Sequence, residues 1–311
     1  MQGMDARILV GTAGGLHELG APRGRSLDQF VGRTVTAVAR DGARAWAIVD
    51  GRSVWATDDT GQWKQQASID GPPATSLAVT ATGILIGTEQ AHLFTLTDGR
   101  LTSVESFEHV EGRQAWYTPW GDPADVRSIA VERHPAEGAA LYVNAHVGGV
   151  VRSRDGGRSW TSMIDIETDV HQVLTHPTRR DWVLVASAEG LGMSRDGGDS
   201  WQFVTAGLHA HYLRAVAVSE DRVLVTASTG HRGKRSAVYR KPLDGPAEFE
   251  RCGRGLPEWF HDNIDTACLA AAGPVVAFGT EDGRVFRSPD GGARWELAAK
   301  GLPAVRCVSV G

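Results

Sequence analysis

Cysteine is scarce in this chain: Cys252, Cys268 and Cys307 are the three among 311 residues. Their number is odd and their spacing matches no metal-binding pattern. That argues against a disulfide framework and a thiolate metal site, and predicts structural thiols in a reducing cytoplasm. Long apolar runs are also missing. No stretch approaches the ~18 residues a membrane-spanning helix needs, and Met1-Gln-Gly-Met-Asp-Ala-Arg lacks a basic region leading into an apolar one. The expectation is a cytoplasmic protein with no membrane association. Charge of one sign is absent as well: the net value is -5 with both signs interspersed, so no basic field exists to hold nucleic acid.

Glycine and tryptophan are plentiful, with 38 and 10 copies. Three of the tryptophans close one repeated phrase. Ser153-Arg-Asp155-Gly-Gly-Arg-Ser-Trp160 returns as Ser194-Arg-Asp196-Gly-Gly-Asp-Ser-Trp201 and as Ser288-Pro-Asp290-Gly-Gly-Ala-Arg-Trp295. Each copy lies between two apolar, strand-like runs. The carboxylate can accept hydrogen bonds from N–H groups across a turn, and Gly-Gly permits positive φ. The indole can then cover the hairpin as an apolar plug. Asp155 to Asp196 is 41 residues and Asp196 to Asp290 is 94, close to two further periods. A repeat of about 40–50 residues with hairpin chemistry signals a radially repeated sheet.

Counting units along the chain gives seven. One strand, Val305 to Val310, is left over at the end, and the opening strand Ile8–Thr12 has no inner partner. Closure solves both. The predicted fold is therefore an all-β, seven-bladed β-propeller over 1–311, forming a single domain, with its first blade shared between 6–30 and 303–311. A monomer is expected.

The phrase Ser-x-Asp-x-Gly-x-x-Trp resembles the Asp-box, or BNR, repeat found in sialidases, sortilin-type propellers and photosystem assembly-factor propellers. The chain as a whole is most similar to bacterial sialidase-like BNR-repeat proteins of undemonstrated activity. The resemblance implies the propeller and a structural role for Asp155, Trp160, Asp196, Trp201, Asp290 and Trp295. It does not extend to sialidase chemistry. No Arg-Ile-Pro-like segment precedes the first box, seven blades replace the six of sialidases, and no Tyr-Glu nucleophile pair is identifiable.

In a propeller, the starts of the inner strands and the turns joining second to third strands share one face. The second positions of the inner strands are Thr36, Ser76, Arg127, His171, Arg214, Asp265 and Arg306. The second-strand ends add Glu89, His146 and Glu281. Loops on that face add Trp116, Trp120, His211, Tyr212, His231, Trp259 and Phe260. Guanidiniums around one mouth can grip a carboxylate through paired hydrogen bonds. The reading is a site for a small anionic, carboxylate- or sugar-like ligand, bound by Arg127, Arg214, Arg306, Asp265, Glu89, Trp120, Tyr212, His211 and His231. If chemistry occurs it is of hydrolase or lyase type, with His171, His146 and Glu281 handling protons. The same arginines can instead pair with Asp125, Glu89, Asp265 or Glu281 in a salt-bridged channel that binds nothing. Two alternatives stay open. One is a non-enzymatic protein-recognition or assembly-factor propeller anchored by Trp116, Trp120, Trp259 and Phe260. The other is a metal-dependent enzyme: no cofactor is assigned, but a divalent ion would take His146, His171 and His211.

Overall fold

The computed structural model describes residues 6–20, 28–132 and 139–311. Part of the stretch 6–30, residues 21–27, lies outside the described residues. The described strands form seven antiparallel sheets. Their inner strands are Val35–Asp41, Ala74–Thr80, Val126–Val131, Val170–Thr175, Tyr212–Ser219, Leu269–Ala272 and Val305–Val310. Each inner strand packs beside the next, and Val305–Val310 packs against both Val35–Asp41 and Leu269–Ala272, so the ring is closed. Blade 1 is made as the sequence predicts. Ile8–Thr12 pairs with Val305–Val310 on one side and Gly15–Leu19 on the other, with Ile8 opposite Val310. Closure removes the free inner edge that an open array would leave.

The second strand of a blade is sandwiched between its neighbours and covered on both faces. It therefore reads as a nearly continuous apolar run, as in Ile8–Thr12, Gly83–Thr88 and Val183–Ser187, rather than as an alternation. The apolar clusters lie between adjacent blades. Ala37, Trp46 and Ile48 of one meet Ala74, Ile84 and Ile86 of the next, and Tyr142 and Val150 meet Val170 and Val185. Two glycines let the next blade's inner strand approach closely. A Cβ on Gly87 would fall 2.2 Å from Val126 Cγ1, and one on Gly279 2.3 Å from Val305 Cγ1. The three cysteines are buried free thiols, and burial pushes Cys252 and Cys307 up to about 12. No helix among the described residues is long and apolar enough to cross a membrane.

The repeated turns take their expected geometry. Asp155 Oδ1 accepts from the N–H groups of Arg158 (2.9 Å) and Ser159 (3.0 Å), and the Ser153 hydroxyl donates to it at 2.8 Å. Ser194 and Asp196, and Ser288 and Asp290, repeat the arrangement. The worn copy keeps it too, with Asp58 Oδ1 accepting from the N–H groups of Thr60 and Gln62. The plugs are not equal. Trp295 is buried, whereas Trp160 and Trp201 are only half-buried.

Candidate functional site at the channel mouth

A recurring irregularity aims the mouth residues. In five of the seven inner-strand pairings, one residue falls out of register: Thr36, Thr75, Arg127, His171 and Arg306. In the sixth blade the shift spans Arg214 and Ala215. A bulge frees a residue from the ladder and re-aims its side chain. This register corrects the third blade, where Thr75 and not Ser76 holds the mouth position. Ser76 is buried and donates to the Val126 carbonyl at 3.1 Å. Asp265 also differs from expectation. The seventh inner strand begins at Leu269, so Asp265 comes from the turn before it.

Thr36, Thr75, Asp125, Arg127, Asp265, Glu281 and Arg306 wall a cavity of about 410 Å³, with His231 and Arg232 on its rim. The guanidiniums there already have protein partners. Arg214 Nη1 lies 3.2 Å and Arg127 Nη2 3.9 Å from the same oxygen, Asp265 Oδ1, and Arg306 Nη1 donates to Glu281 at 2.9 Å. Burial would raise the Asp265 carboxyl, but Arg214 and Arg127 hold it below the ordinary aspartate range. Burial, with Arg214 nearby, also lowers Arg127. Asp125 moves the other way, raised by burial and by Glu89, which is exposed beside it.

The imidazoles belong to a second, deeper group organised by a residue that sequence reasoning missed. Asp169 has a left-handed backbone (φ 47°) and puts Oδ2 3.3 Å from His171 Nε2 and Oδ1 3.9 Å from His146 Nε2. A signal for it was present: Asp125-Val-Arg127 and Asp169-Val-His171 repeat an aspartate two residues before the bulge. Burial works to raise the Asp169 carboxyl, while His171, His146 and Arg127 bring it below its ordinary value. His171 is fully buried, and its Nδ1–H donates to the Leu213 carbonyl. That bond fixes the orientation of the ring and turns Nε2 toward Asp169. Burial pushes His171 down and His146 down to about 3, with Arg127 lowering both further. Tyr212 lies over His171 (ring centroids 4.6 Å apart) and Trp120 meets His146 edge-on at 5.0 Å. Arg127 Nη1, Arg214 Nε, Asp169 Oδ1 and His171 Nε2 are all shielded and lack a hydrogen-bond partner.

A pH dependence follows from His146. The fold disfavours its charged form, so the folded state binds fewer protons than the unfolded chain. Its contribution to stability is complete above the unfolded value of 6.5 and is lost as pH falls toward about 3. His146→Gln is expected to flatten the melting temperature against pH across that window. A profile as steep as the wild type's would contradict the assignment.

Some expected members do not join the site. His211 is exposed, and no group of three His, Cys, Asp or Glu side chains among the described residues is arranged to hold a metal ion. Trp116 is buried against Phe107, and Phe260 against Phe278 and Phe286, so both are core rather than rim. The half-buried Trp259 ring attracts two guanidiniums, with Arg235 4.5 Å and Arg251 4.8 Å from its centroid. Trp120 remains open at 65% exposure, with Tyr117, three residues before it, at 41%.

No family model matches the chain, and no curated protein matches it. Solved structures do. A YCF48 protein bound to a D1 peptide is 17% identical, covering 85% of this chain and 82% of that one, with a TM-score of 0.58. The WD40 domain of Pan2 from Neurospora crassa is 8% identical over 86% of this chain and 79% of that one, TM-score 0.58. The GH74 xyloglucanase from Xanthomonas campestris is 15% identical over 94% of this chain but only 46% of its own, TM-score 0.60. At these identities the likeness is one of fold: the chain is a seven-bladed β-propeller.

Proposed function

We propose that this propeller is a recognition module that binds a polypeptide segment across the channel mouth. One observation carries the reading: the mouth's guanidiniums are paired with Asp265 and Glu281, while Trp120, edge-on to His146, stands open. A charge-balanced rim with an exposed indole suits a peptide, which offers both donors and acceptors along its backbone, better than it suits a lone anion. The imidazoles of His146 and His171 lie beneath Trp120 and Tyr212, where they support the rim. That one structural neighbour holds a peptide is consistent with this reading.

A second reading keeps a small carboxylate as ligand, gripped by Arg127, Arg214 and Arg306, with His146, His171 and Glu281 as proton carriers. The unpartnered Arg127 Nη1 and Arg214 Nε favour it. It requires the ligand to displace Asp265. Panning a displayed peptide library on the protein separates the two. The first reading expects enriched peptides that bind Trp120→Ala about tenfold more weakly, with the melting temperature unchanged. Peptides indifferent to Trp120→Ala but lost in Arg214→Ala would favour the second. No enrichment at all would sink the first.

A further inference from the structure

The loop 229–236 is the one concentrated basic stretch in an acidic chain, His231-Arg-Gly-Lys-Arg235. It is not a loose tether. Lys234 N–H donates to the His261 carbonyl (2.6 Å), Ser236 and Phe260 exchange N–H···O bonds at 2.9 and 2.8 Å, and the Asn263 amide donates to the His231 carbonyl (3.0 Å). These bonds fasten it to the following loop, 259–263. Lys234 and Arg235 both sit in the left-handed region, at φ 68° and 48°. Long side chains rarely adopt it, and here the clamp holds two of them there in succession.

The clamp displays charge without neutralising it. Arg232, Lys234 and Arg235 are exposed and none has a carboxylate partner among the described residues. Arg251, exposed beside them, bonds the Glu258 backbone carbonyl and not its carboxylate. The acidic groups on these loops are Glu258 and Asp262, and Asp262 is engaged by His261 at 2.8 Å. His231 and Arg232 also line the mouth cavity, so the basic strip begins at the site and runs outward.

We infer that this strip binds an acidic polypeptide segment, whose Asp and Glu side chains meet Arg232, Lys234, Arg235 and Arg251 while the rest of the segment enters the mouth. The inference rests on the peptide-recognition reading and names the character of its partner. Fixed cations opposite a flexible acidic chain accelerate encounter and set its register. A single-stranded nucleic acid fits less well. It needs aromatic faces along the strip for its bases, and the strip's own ring, Trp259, is packed against the guanidiniums of Arg235 and Arg251.

The test is fluorescence anisotropy with a labelled dodecapeptide of alternating Glu and Gly, and its Gln counterpart as control. The Glu peptide is expected to bind and the Gln peptide not. The double variant R232E/K234G is expected to weaken binding at least about tenfold. Glycine at 234 accepts the left-handed conformation, so the clamp survives; Arg232→Gln alone serves if the double variant melts early. Equal binding of the two peptides, no loss in the variants, or equal competition by an oligonucleotide of the same charge would overturn the inference. Loss in Trp120→Ala without loss in R232E/K234G refutes the basic strip and spares the mouth. Loss in R232E/K234G alone supports the strip and removes the mouth from the binding surface.

Discussion

Deleting residues 305–311 is expected to abolish cooperative folding rather than merely lower stability. That segment is the inner strand of blade 1, and it buries Val305, Cys307 and Val308 against blades on both sides. Without it, Ile8–Thr12 loses its inner partner, and Leu9 and Val10 sit at an unpaired sheet edge. Such an edge recruits other chains. The deletion also opens two blade interfaces at once, in a molecule whose whole margin is on the order of 5–15 kcal/mol. Calorimetry and size-exclusion chromatography of the truncated chain would show it, with loss of the melting peak and aggregation. A truncated chain that melts as one sharp transition near the intact temperature would mean that closure does little of the holding.

The second large effect separates plugs that look alike in sequence. Trp295→Ala is expected to cost about 3–5 kcal/mol, the range for removing a large buried aromatic. The ring is 3% exposed, meets Phe278 edge-on at 5.0 Å, and donates its Nε1–H to the Gly292 carbonyl at 3.0 Å. Trp201 makes a similar bond to Gly198 but is half-buried. Trp201→Ala should therefore lose roughly half as much, because less area is withdrawn from water. Urea denaturation of both variants checks this. Equal losses would show that the shared turn, and not local burial, sets the role of the indole.

These outcomes bear on what could be read from residues alone. The turn phrase was legible because its chemistry is local: one carboxylate, one hydroxyl and two glycines within eight positions. Closure was legible because the surplus strand at one end matched the deficit at the other. The mouth was legible only in outline. Arg127, His171 and Arg306 were found by position, but the bulge that aims them is a pairing irregularity, so counting along the third blade landed on Ser76 and missed Thr75. Trp116 and Phe260 read as rim anchors because an aromatic in a loop carries no sign of whether a neighbouring blade covers it. Asp169 escaped because it precedes the strand being counted. His171 follows it by two positions, but its other partner, His146, comes from the neighbouring blade and reaches it only through the packing of the two blades.

The pairing of Ile8 with Val310 also governs how the molecule is made. A ribosome delivers the hairpin Ile8–Leu19 first and its missing partner last, so the earliest strands to emerge are the last to be completed. Every intervening blade can stack on its predecessor during translation, while that hairpin waits through the synthesis of the six blades that follow it. Joining ends so far apart costs loop entropy that grows slowly with length, yet the search is long. The growing chain is thus a spiral with one sticky rim, and it becomes a wheel only once Val305–Val310 is free to pair with Ile8–Thr12.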